Sequence, residues 1–486
     1  MKASASDERL STGVSGLDEI LHGGLLPGRA YLIRGGPGTG KTTLGLHFLI
    51  AGAQRGEKAL FITLEEEQED LLTDGARSGM NLEGVDFLDL SPGSDYFAEV
   101  QTYDIFAPAE VEREPLTNRI IAAVEQIQPT RVFLDPLTQF RYLSTDTFQF
   151  RKQVLSFLRF LTERGCTILF TSEHSATTPD DDLQFMADGI IELNFDEYGR
   201  NLTVVKFRGS DFMGRSHAMK LGGAGMSVYP RLIPQNYGVT FHADLISSGL
   251  PELDKLLNGG LERGTVSFFS GPTGVGKTSL GLQFIREAAR RGEYSVLFSL
   301  EEEIDIILGR SNAIQLDAAA MLDKGALLLE KIEPLQYTPD EFARRVRHEV
   351  EHNQARIVMI DSVSGYRLSM RGHDLVSQLH ALIKYLQNMG VAVLLTVETA
   401  QLTGDFRVTD HEISYLADNI IFLRYLEING EMRKAIGVLK KRLSNFEKTL
   451  REFEITGEGI RIGQPLSNLR GILTGAPTWI NREGAP

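Results

Sequence analysis

The apolar positions of this chain fall into short runs that alternate with longer stretches of helical spacing. In the first half the runs are "AYLI", "KALFITL", "RVFLD", "TILFTS" and "IIEL", and in the second half they are "VSFF", "YSVLFSL", "RIVMID", "VAVLLTV" and "IIFLRY". Between them, apolar residues recur at helical spacing, as in Gln149–Glu163 and Leu375–Asn388. Strands that alternate with helices predict an α/β fold, in which helices cover a mostly parallel sheet.

The two halves of the chain repeat each other. The segment "STGVSGLDEILHGGLLPG" (Ser11–Gly28) aligns with "SSGLPELDKLLNGGLERG" (Ser247–Gly264), and one offset of 236 residues (277 − 41) also aligns Lys41 with Lys277. A shared register over such a length predicts a tandem duplication of one domain.

The boundary between the predicted domains lies in a segment that contains two prolines. "YPRLIPQNYG" (Tyr229–Gly238) interrupts the alternation of strands and helices. We therefore assign residues 1–232 to the first domain and residues 233–486 to the second.

Each predicted domain has a glycine-rich loop between a strand and a helix. Both "GGPGTGKT" and "GPTGVGKT" fit the pattern G-x-x-x-x-G-K-[ST], in which backbone N–H groups surround phosphate oxygens and the helix N-terminus adds positive potential. The lysine reaches the β- and γ-phosphates, and the threonine hydroxyl is a ligand for Mg²⁺. The predicted ATP-binding residues are Gly35, Gly36, Pro37, Gly38, Thr39, Gly40, Lys41 and Thr42, and in the second domain Gly271, Pro272, Thr273, Gly274, Val275, Gly276, Lys277 and Thr278.

Acidic residues follow several of the predicted strands, where ligand crevices of α/β proteins lie. Asp135 ends "RVFLD" and Asp361 ends "RIVMID", in the position of a carboxylate that holds the metal ion. The alternative is that each aspartate merely caps the next segment. The predicted metal ligands are Thr42, Asp135, Thr278, Glu301 and Asp361.

The acidic runs "TLEEEQED" and "SLEEEIDII" occupy identical positions in the repeat. A nucleophile that attacks a γ-phosphate needs a group that orients it on the side away from the leaving group. Glu65 and Glu301 are the candidates for this catalytic role, with Glu66 and Glu302 in support. Alternatively, the runs are solvated helix starts, since acidic residues favour helix N-termini.

Basic residues lie on the late predicted strands of both domains. "VVKFRGS" contains Lys206 and Arg208, and "VLKKRLS" contains Lys440 and Arg442. Lysines on an edge strand often only prevent aggregation. The alternative is that these cations reach an ATP on a neighbouring subunit and neutralise charge as the phosphate leaves.

Composition limits the class of protein. Lys and Arg number 50 against 65 Asp and Glu, and the resulting net charge of −15 opposes broad attraction to nucleic acid. No run of about 18 apolar residues occurs and "MKASASDERLSTG" has no apolar stretch of a secretion signal, so we expect no membrane span and a cytoplasmic location. Cys166 is the only cysteine, which excludes an intramolecular disulfide, and we interpret it as a buried core residue rather than a catalytic thiol.

Taken together, these features resemble the KaiC family of RecA-like ATPases. The residues that carry the resemblance are the doubled "STGVSGLDEILHGG" opening, both glycine loops, "TLEE", "SLEE", "KFRGS" and Ile413–Ile455. The resemblance implies two tandem RecA-like P-loop domains that bind ATP and Mg²⁺. It also implies a homohexamer of two stacked rings with nucleotide between subunits. By the same resemblance, the first ring is expected to hydrolyse ATP slowly, and the second is expected also to phosphorylate residues of the adjacent subunit and to reverse that reaction.

The resemblance assigns roles to individual positions. Glu65 and Glu301 match the catalytic glutamates of the family, and Thr42 and Thr278 match its magnesium ligands. The residues that it implies to reach ATP across the subunit interface are Lys206, Phe207, Arg208 and Ser210 in the first domain and Lys440, Lys441, Arg442 and Ser444 in the second.

Three positions depart from the family pattern. Ser414 and Tyr415 stand where the cyanobacterial clock protein has a Ser-Thr pair of phosphoacceptors. We expect autophosphorylation at Ser414, with Tyr415 as the alternative, because the longer phenol needs a different approach to the γ-phosphate. Leu443 replaces a glycine after the arginine, and Ile314 stands where an aromatic residue often covers the base. We therefore expect a different loop geometry and a different nucleotide affinity.

The implied partners are further copies of the chain, a KaiB-like protein, and histidine-kinase or response-regulator signalling proteins. Because the chain ends at "LTGAPTWINREGAP", where the clock protein continues into the polar tail on which KaiA docks, we expect no dependence on KaiA.

Three functions stay open at this point. The first is an ATPase and serine autokinase in clock-like or stress signalling. The second is a nucleotide-gated signalling scaffold with slow ATPase and no autokinase activity. The third is a RecA- or helicase-like DNA-dependent ATPase, which the acidic charge balance and the lack of a separate DNA-binding module disfavour.

Overall fold

The computed structural model describes residues 8–91, 113–141, 147–173, 181–370, 372, 374–399, 414–428, 430–472 and 478–479. The chain divides into two compact units, Met1–Arg231 and Leu232–Pro486. Each unit has its own hydrophobic core.

The first unit is built around one twisted sheet. Its strands are β1 (Ala30–Gly35), β2 (Ala59–Thr63), β3 (Val85–Asp89), β4 (Arg131–Asp135), β5 (Thr167–Glu173), β6 (Gly189–Asp196), β7 (Gly199–Phe207), β8 (Ser216–Gly222) and β9 (Gly225–Tyr229). Its helices are α1 (Ser15–Ile20), α2 (Lys41–Ala53), α3 (Gln68–Arg77), α4 (Arg113–Ile127), α5 (Thr147–Glu163) and α6 (Asp181–Met186). Within the described residues the strand order is β3-β2-β4-β5-β1-β6-β7-β8-β9. Strands β3 to β6 in that order are parallel, and β6 to β9 form antiparallel hairpins.

The second unit repeats this arrangement. It begins with two short strands, β10 (Leu245–Ile246) and β11 (Leu261–Glu262). The strands of its main sheet are β12 (Val266–Gly271), β13 (Ser295–Ser299), β14 (Leu327–Lys331), β15 (Ile357–Asp361), β16 (Ala392–Glu398), β17 (Asn419–Ile428), β18 (Glu431–Lys441), β19 (Arg451–Thr456) and β20 (Gly459–Pro465). A last pair of short strands follows, β21 (Leu469–Arg470) and β22 (Thr478–Trp479). The helices are α7 (Pro251–Leu256), α8 (Lys277–Arg290), α9 (Ile304–Ala313), α10 (Ala318–Asp323), α11 (Pro339–Glu351), α12 (Val363–Ser369) and α13 (Leu375–Asn388). The described sheet has the order β14-β13-β15-β16-β12-β17-β18-β19-β20, which matches the first.

The helix that follows each glycine loop packs closely on the sheet because a glycine faces it. A Cβ atom on Gly45 of α2 would lie 2.1 Å from the ring of Phe133 in β4. A Cβ atom on Gly281 of α8 would lie 2.4 Å from the sulfur of Met359 in β15. These contacts explain the glycine in "TTLGL" and "TSLGL", and they fix the start of the helix above the carboxyl ends of the strands.

The repeated opening segment is held by one aspartate in each unit. The Asp18 carboxylate accepts hydrogen bonds from the Ser11 hydroxyl (2.6 Å) and from the backbone N–H and hydroxyl of Thr12 (both 2.7 Å). The Asp254 carboxylate accepts the equivalent bonds from Ser247 (2.5 Å) and Ser248 (2.8 and 2.7 Å). The aspartate thus closes the turn before α1 and before α7, which is a structural reason for the repeated motif.

The predicted α/β fold with mostly parallel sheets is confirmed. Helix α13 coincides with the predicted Leu375–Asn388, and α5 contains the predicted Gln149–Glu163. Cys166 is 1% exposed and its thiol lies 3.0 Å from the carbonyl oxygen of Pro129. No helix among the described residues has the length and apolarity that a membrane span requires.

Candidate functional site

Each glycine loop joins the central strand of a sheet to a buried helix. The residue before α2 is Gly40 and the residue before α8 is Gly276, with φ of 102° and 118°, a backbone conformation that favours glycine. Each loop therefore turns sharply at the carboxyl edge of the sheet and presents the N-terminus of a helix, where phosphate groups bind.

Backbone oxygens of each glycine loop hold the ammonium group of its lysine over the loop. Lys41 Nζ donates to the carbonyl oxygens of Gly35 (2.9 Å) and Gly36 (3.1 Å). Lys277 Nζ donates to those of Gly271 and Pro272, both at 3.0 Å. Burial lowers the pKa of Lys277, and the nearby Glu398 carboxylate, 3.8 Å away, opposes that shift.

The threonine that follows the lysine contacts the predicted strand-end aspartate. Thr42 Oγ1 donates to Asp135 Oδ2 at 2.6 Å, and Thr278 Oγ1 donates to Asp361 Oδ2 at 2.7 Å. The other carboxylate oxygen of Asp361 accepts a hydrogen bond from Thr396, and burial raises the pKa of Asp361. A hydroxyl and a carboxylate oxygen in contact are the ligand types that Mg²⁺ prefers.

The second unit has a cavity of about 330 Å³ at this edge of the sheet. It brings together the glycine loop, the predicted glutamates and the predicted metal aspartate. The described lining residues are Thr273, Gly274, Gly276, Lys277, Thr278, Ser279, Glu301, Glu302, Arg310, Asp361, Ser362, Glu398, Lys434 and Ile455. The volume lies within the range of small-molecule sites.

The paired glutamates follow β2 and β13 in the loop before the next helix. Partial burial raises the pKa of Glu301, and Glu398 and Asp361 raise it further, while a hydrogen bond donated by Ser362 opposes the shift. Glu302 forms an ion pair with Arg310, with N–O distances of 2.8 and 2.6 Å.

The glutamates of the first unit have acidic surroundings. Partial desolvation raises the pKa of Glu66, and the negative charges of Asp135, Glu65 and Asp74 raise it further. Because Asp74 occupies the repeat position of Arg310 (310 − 74 = 236), the two glutamate pairs differ in their charged neighbours.

The predicted interface cations contact groups of their own unit and do not appear among the described residues that line the cavity. Lys206 Nζ donates to the carbonyl oxygen of Gln184 (2.9 Å), and Lys440 Nζ donates to that of Ala417 (2.5 Å). A repeated acidic partner lies beside each arginine: Arg208 is 3.8 Å from Asp188, and Arg442 is 3.2 Å from Asp418.

Other members of that predicted set are buried or bound elsewhere. Phe207 is 7% exposed and stacks on Tyr31 with ring centroids 5.6 Å apart. Lys441 is buried, and its ammonium donates to Glu262 (2.6 Å) and to the hydroxyl of Ser444. The hydroxyl of Ser210 accepts from Arg9 Nη2 at 2.7 Å. The exposed cations of the set are therefore the two arginines, Arg208 and Arg442.

The predicted phosphoacceptor lies in a short 3-10 turn, Ser414–Leu416. Ser414 is exposed, and Tyr415 is 53% exposed with its ring against the edge of His380 at 5.8 Å. Arg442 Nη2 donates to the backbone oxygen of Tyr415 at 3.1 Å. The predicted acceptor segment and the predicted interface arginine are thus in direct contact.

Ile314 and Leu443, the other two departures from the family pattern, differ in burial. Ile314 is 8% exposed and belongs to the hydrophobic core of the second unit, whereas Leu443 is 62% exposed. Ile314 is absent from the described residues that line the cavity.

Sequence reasoning missed two cations beside the glycine loops. Arg200 donates through Nε and Nη2 to the carbonyl oxygen of Gly38, both at 3.3 Å, and Lys434 Nζ donates to that of Gly274 at 3.4 Å. They lie at equivalent places in the β6–β7 and β17–β18 hairpins, six residues before Lys206 and Lys440 (206 − 200 = 440 − 434). That shared spacing was the available signal, but the hairpin register is needed to place them next to the loop.

Comparison with known proteins finds the same family match in both units. The family described as "ATPase: KaiC" matches residues 10–233 and again residues 246–467. A circadian clock oscillator protein KaiC of Parasynechococcus marenigrum is 29% identical over 98% of this chain and 94% of its own length. The circadian clock protein KaiC3 of a Synechocystis species is 29% identical over 97% and 95%, and a KaiC of Thermostichus vulcanus is 27% identical over 99% and 94%.

Proposed function

The chain belongs to the KaiC family of ATPases, and on that basis we propose that it is a homohexameric enzyme with divided activities. The first domain, residues 1–232, hydrolyses ATP. The second domain, residues 233–486, uses ATP to phosphorylate Ser414 of an adjacent subunit. We include in the proposal that signalling partners, a KaiB-like protein or histidine-kinase and response-regulator proteins, recognise the resulting state.

One observation carries the proposal: both units hold the same lysine, threonine, aspartate and glutamates at the carboxyl edge of the sheet. In this proposal Lys41 and Lys277 bind the β- and γ-phosphates, which is supported by the contact of each ammonium with the backbone of its glycine loop. The helix N-terminus behind each lysine stabilises the same negative charge. Such preorganised positive groups are the main source of catalysis in phosphoryl transfer.

The oxygen ligands present fit a magnesium ion. Thr42 with Asp135, and Thr278 with Asp361, offer a hydroxyl and a carboxylate in contact. The Asp361 carboxylate is buried, and an adjacent cation would offset the cost of burying its charge. A bound Mg²⁺ would neutralise charge on the phosphate oxygens.

The glutamates of the first site orient the attacking water. The water oxygen forms a bond to the γ-phosphorus as the bond to the bridging oxygen breaks, and ADP leaves with that electron pair. The proton of the water passes to Glu65 or Glu66 and then to solvent. At the second site the hydroxyl of Ser414 takes the place of water, and Glu301 accepts its proton.

Exposed apolar side chains beside the cationic strand ends support self-association. Val205 (49% exposed) adjoins Lys206, and Phe185 (71% exposed) adjoins Gln184, the residue to which Lys206 donates. In the second unit Leu439 (43%) and Leu443 (62%) flank Lys440 and Arg442. An apolar patch next to an exposed arginine is a usual composition for an interface, and a second copy of the chain places that arginine near the neighbouring ATP.

The experiment combines native mass measurement with phosphosite mapping. With ATP and Mg²⁺ we expect a hexamer and one added phosphate per chain, which Ser414→Ala removes. Glu65→Gln with Glu66→Gln should abolish most ATP hydrolysis while assembly persists, and Glu301→Gln with Glu302→Gln is the matched change in the second site. A hexamer that hydrolyses ATP without gaining phosphate would favour the nucleotide-gated scaffold, which the Tyr415 departure also favours. A monomer with full turnover would contradict the proposal.

A further inference from the structure

The glutamate loop of the second unit, residues 301–303, is contacted by Arg310, Lys331 and Ser362, whereas Asp74 and Asp89 occupy the equivalent positions of Arg310 and Lys331 beside the loop of the first unit, residues 65–67. We propose that Arg310 is a positioning residue that restrains Glu302 and thereby slows attack by water at the second site, so that bound ATP is kept for transfer to a side-chain hydroxyl. This inference rests on the proposed function, because it concerns the division of activity between the two sites.

The first step is the geometry of the ion pair. Arg310 lies on α9, and its two terminal nitrogens donate one to each carboxylate oxygen of Glu302, at 2.8 and 2.6 Å. Both partners are about one third exposed, at 35% each. A two-point contact of this kind fixes the direction of the carboxylate as well as its charge.

The second step is that other residues hold the same loop. Lys331, at the end of β14, donates to the backbone oxygen of Glu301 (3.0 Å) and pairs with Glu303 (3.1 Å). Ser362 donates its hydroxyl to the Glu301 carboxylate. With Arg310, each of the three glutamates has a donor from a different element.

The third step is that the first unit lacks these donors at all three positions. Asp74 stands in place of Arg310, and Pro136, which has no side-chain donor, stands in place of Ser362. Asp89 stands in place of Lys331, since β3 pairs Asp89 with Thr63 just as β14 pairs Lys331 with Ser299. Asp89 instead accepts a hydrogen bond from the backbone N–H of Gln68 (2.8 Å).

The consequence follows from the chemistry of water attack. To orient a water, Glu302 must turn a carboxylate oxygen toward it and give up a charge-assisted hydrogen bond to Arg310. When attack does occur, the water oxygen bonds to the γ-phosphorus, ADP departs with the electrons of the broken P–O bond, and a glutamate takes the proton. Loss of one such hydrogen bond corresponds to a slowing of about tenfold.

The test uses full-length chain in which Glu65→Gln and Glu66→Gln silence the first site. In this background, Arg310→Met should raise the kcat for ATP hydrolysis about three- to tenfold with little change in KM, and it should lower the phosphate incorporated per ATP consumed. Arg310→Lys keeps the cation and should restore most of the restraint. Arg290→Met, on the exposed end of α8, is the matched control and should change neither quantity.

A reciprocal change guards against a folding artefact. Asp74 is 74% exposed, so Asp74→Arg is compatible with the fold of the first unit. With the second site silenced by Glu301→Gln and Glu302→Gln, Asp74→Arg should slow hydrolysis at the first site, again through kcat. The inference is overturned if Arg310→Met has a kcat equal to or lower than that of its parent, or if Asp74→Arg hydrolyses ATP at the same rate as its parent. The proposed function would instead be contradicted if the parent with Glu65→Gln and Glu66→Gln failed to bind ATP at the second site. Titration with a fluorescent ATP analogue measures this binding.

Discussion

Cys166 shows how burial sets the chemistry of one side chain. It precedes β5 and is enclosed in the core of the first unit. Burial raises the pKa of its thiol to about 11. The folded state therefore favours the protonated thiol, and the resulting stabilisation is present below the unfolded pKa of about 8.5 and is lost as the pH rises toward the folded value.

We predict that Cys166 reacts with a thiol reagent only after unfolding. At pH 8 about 0.1% of a thiol with this pKa is ionised, and the side chain is also inaccessible. A disulfide-exchange reagent should label almost none of the native chain and one thiol per chain in guanidinium chloride. Rapid stoichiometric labelling of the native chain at pH 8 would contradict the burial of this residue, and Cys166→Ser provides the blank.

The burial of Lys441 depends on a local irregularity of the strand that hydrophobic periodicity does not reveal. In both hairpins the register shifts, between Ile190 and Ile191 in the first unit and between Ile420 and Ile421 in the second. The extra residue is Val205 or Leu439, and each is exposed. Because a bulge reverses the alternation of side chains along a strand, Lys441 points into the core and pairs with Glu262.

The opening segment of each unit is an element whose stability rests on one carboxylate. We predict that Asp254→Ala lowers the free energy of unfolding of the second unit by about 1–3 kcal/mol, because Ser248 is fully buried and its donors lose their acceptor. Urea unfolding followed by circular dichroism measures the change.

The control for this prediction lies on the same helix. Glu252→Ala, at the exposed start of α7, should change the free energy of unfolding by less than about 0.5 kcal/mol. Asp18→Ala is the matched change in the first unit and should have a similar cost. Equal stability of Asp254→Ala and Glu252→Ala would show that the aspartate does not hold the turn.

At the level of the whole molecule, the proposal of shared sites predicts complementation between defective chains. In the background with a silent first site, Lys277→Ala and Arg442→Ala should each be nearly inactive. Mixed in equal amounts before assembly, they should recover about one quarter of the parent activity, since an intact P-loop meets an intact arginine at about one junction in four. The measurement is the rate of ATP hydrolysis as a function of the mixing ratio. If hexamers form but no ratio restores hydrolysis, Arg442 acts within its own chain.

Duplication has given the molecule two similar scaffolds with different electrostatics. Both sheets share one strand order, and both sites share the lysine, threonine and aspartate contacts. The surroundings of the glutamate loops differ in sign, with Asp74 and Asp89 in one unit and Arg310 and Lys331 in the other. Divided activity between the two sites is therefore compatible with a shared fold.

The sequence alone determined the fold class, the duplication and the glycine loops of this protein. These follow from local patterns: apolar runs of strand length, helical spacing, and a loop motif whose glycines and lysine lie within eight residues of one another. The strand-end position of Asp135 and Asp361 was also predictable, because the carboxyl ends of parallel strands meet at one edge of the sheet.

Only the tertiary structure decided which polar side chains meet. Arg310 reaches Glu302 from the next helix, Lys434 reaches the glycine loop from a hairpin, and Lys441 turns away to Glu262. Each outcome depends on strand register, a bulge or the rotation of a helix, and a shift of one residue reverses the face on which a side chain lies. The contacts of Lys434 and Lys441 join residues that are 160 and 179 positions apart, and hydrophobic patterning leaves such partners undetermined.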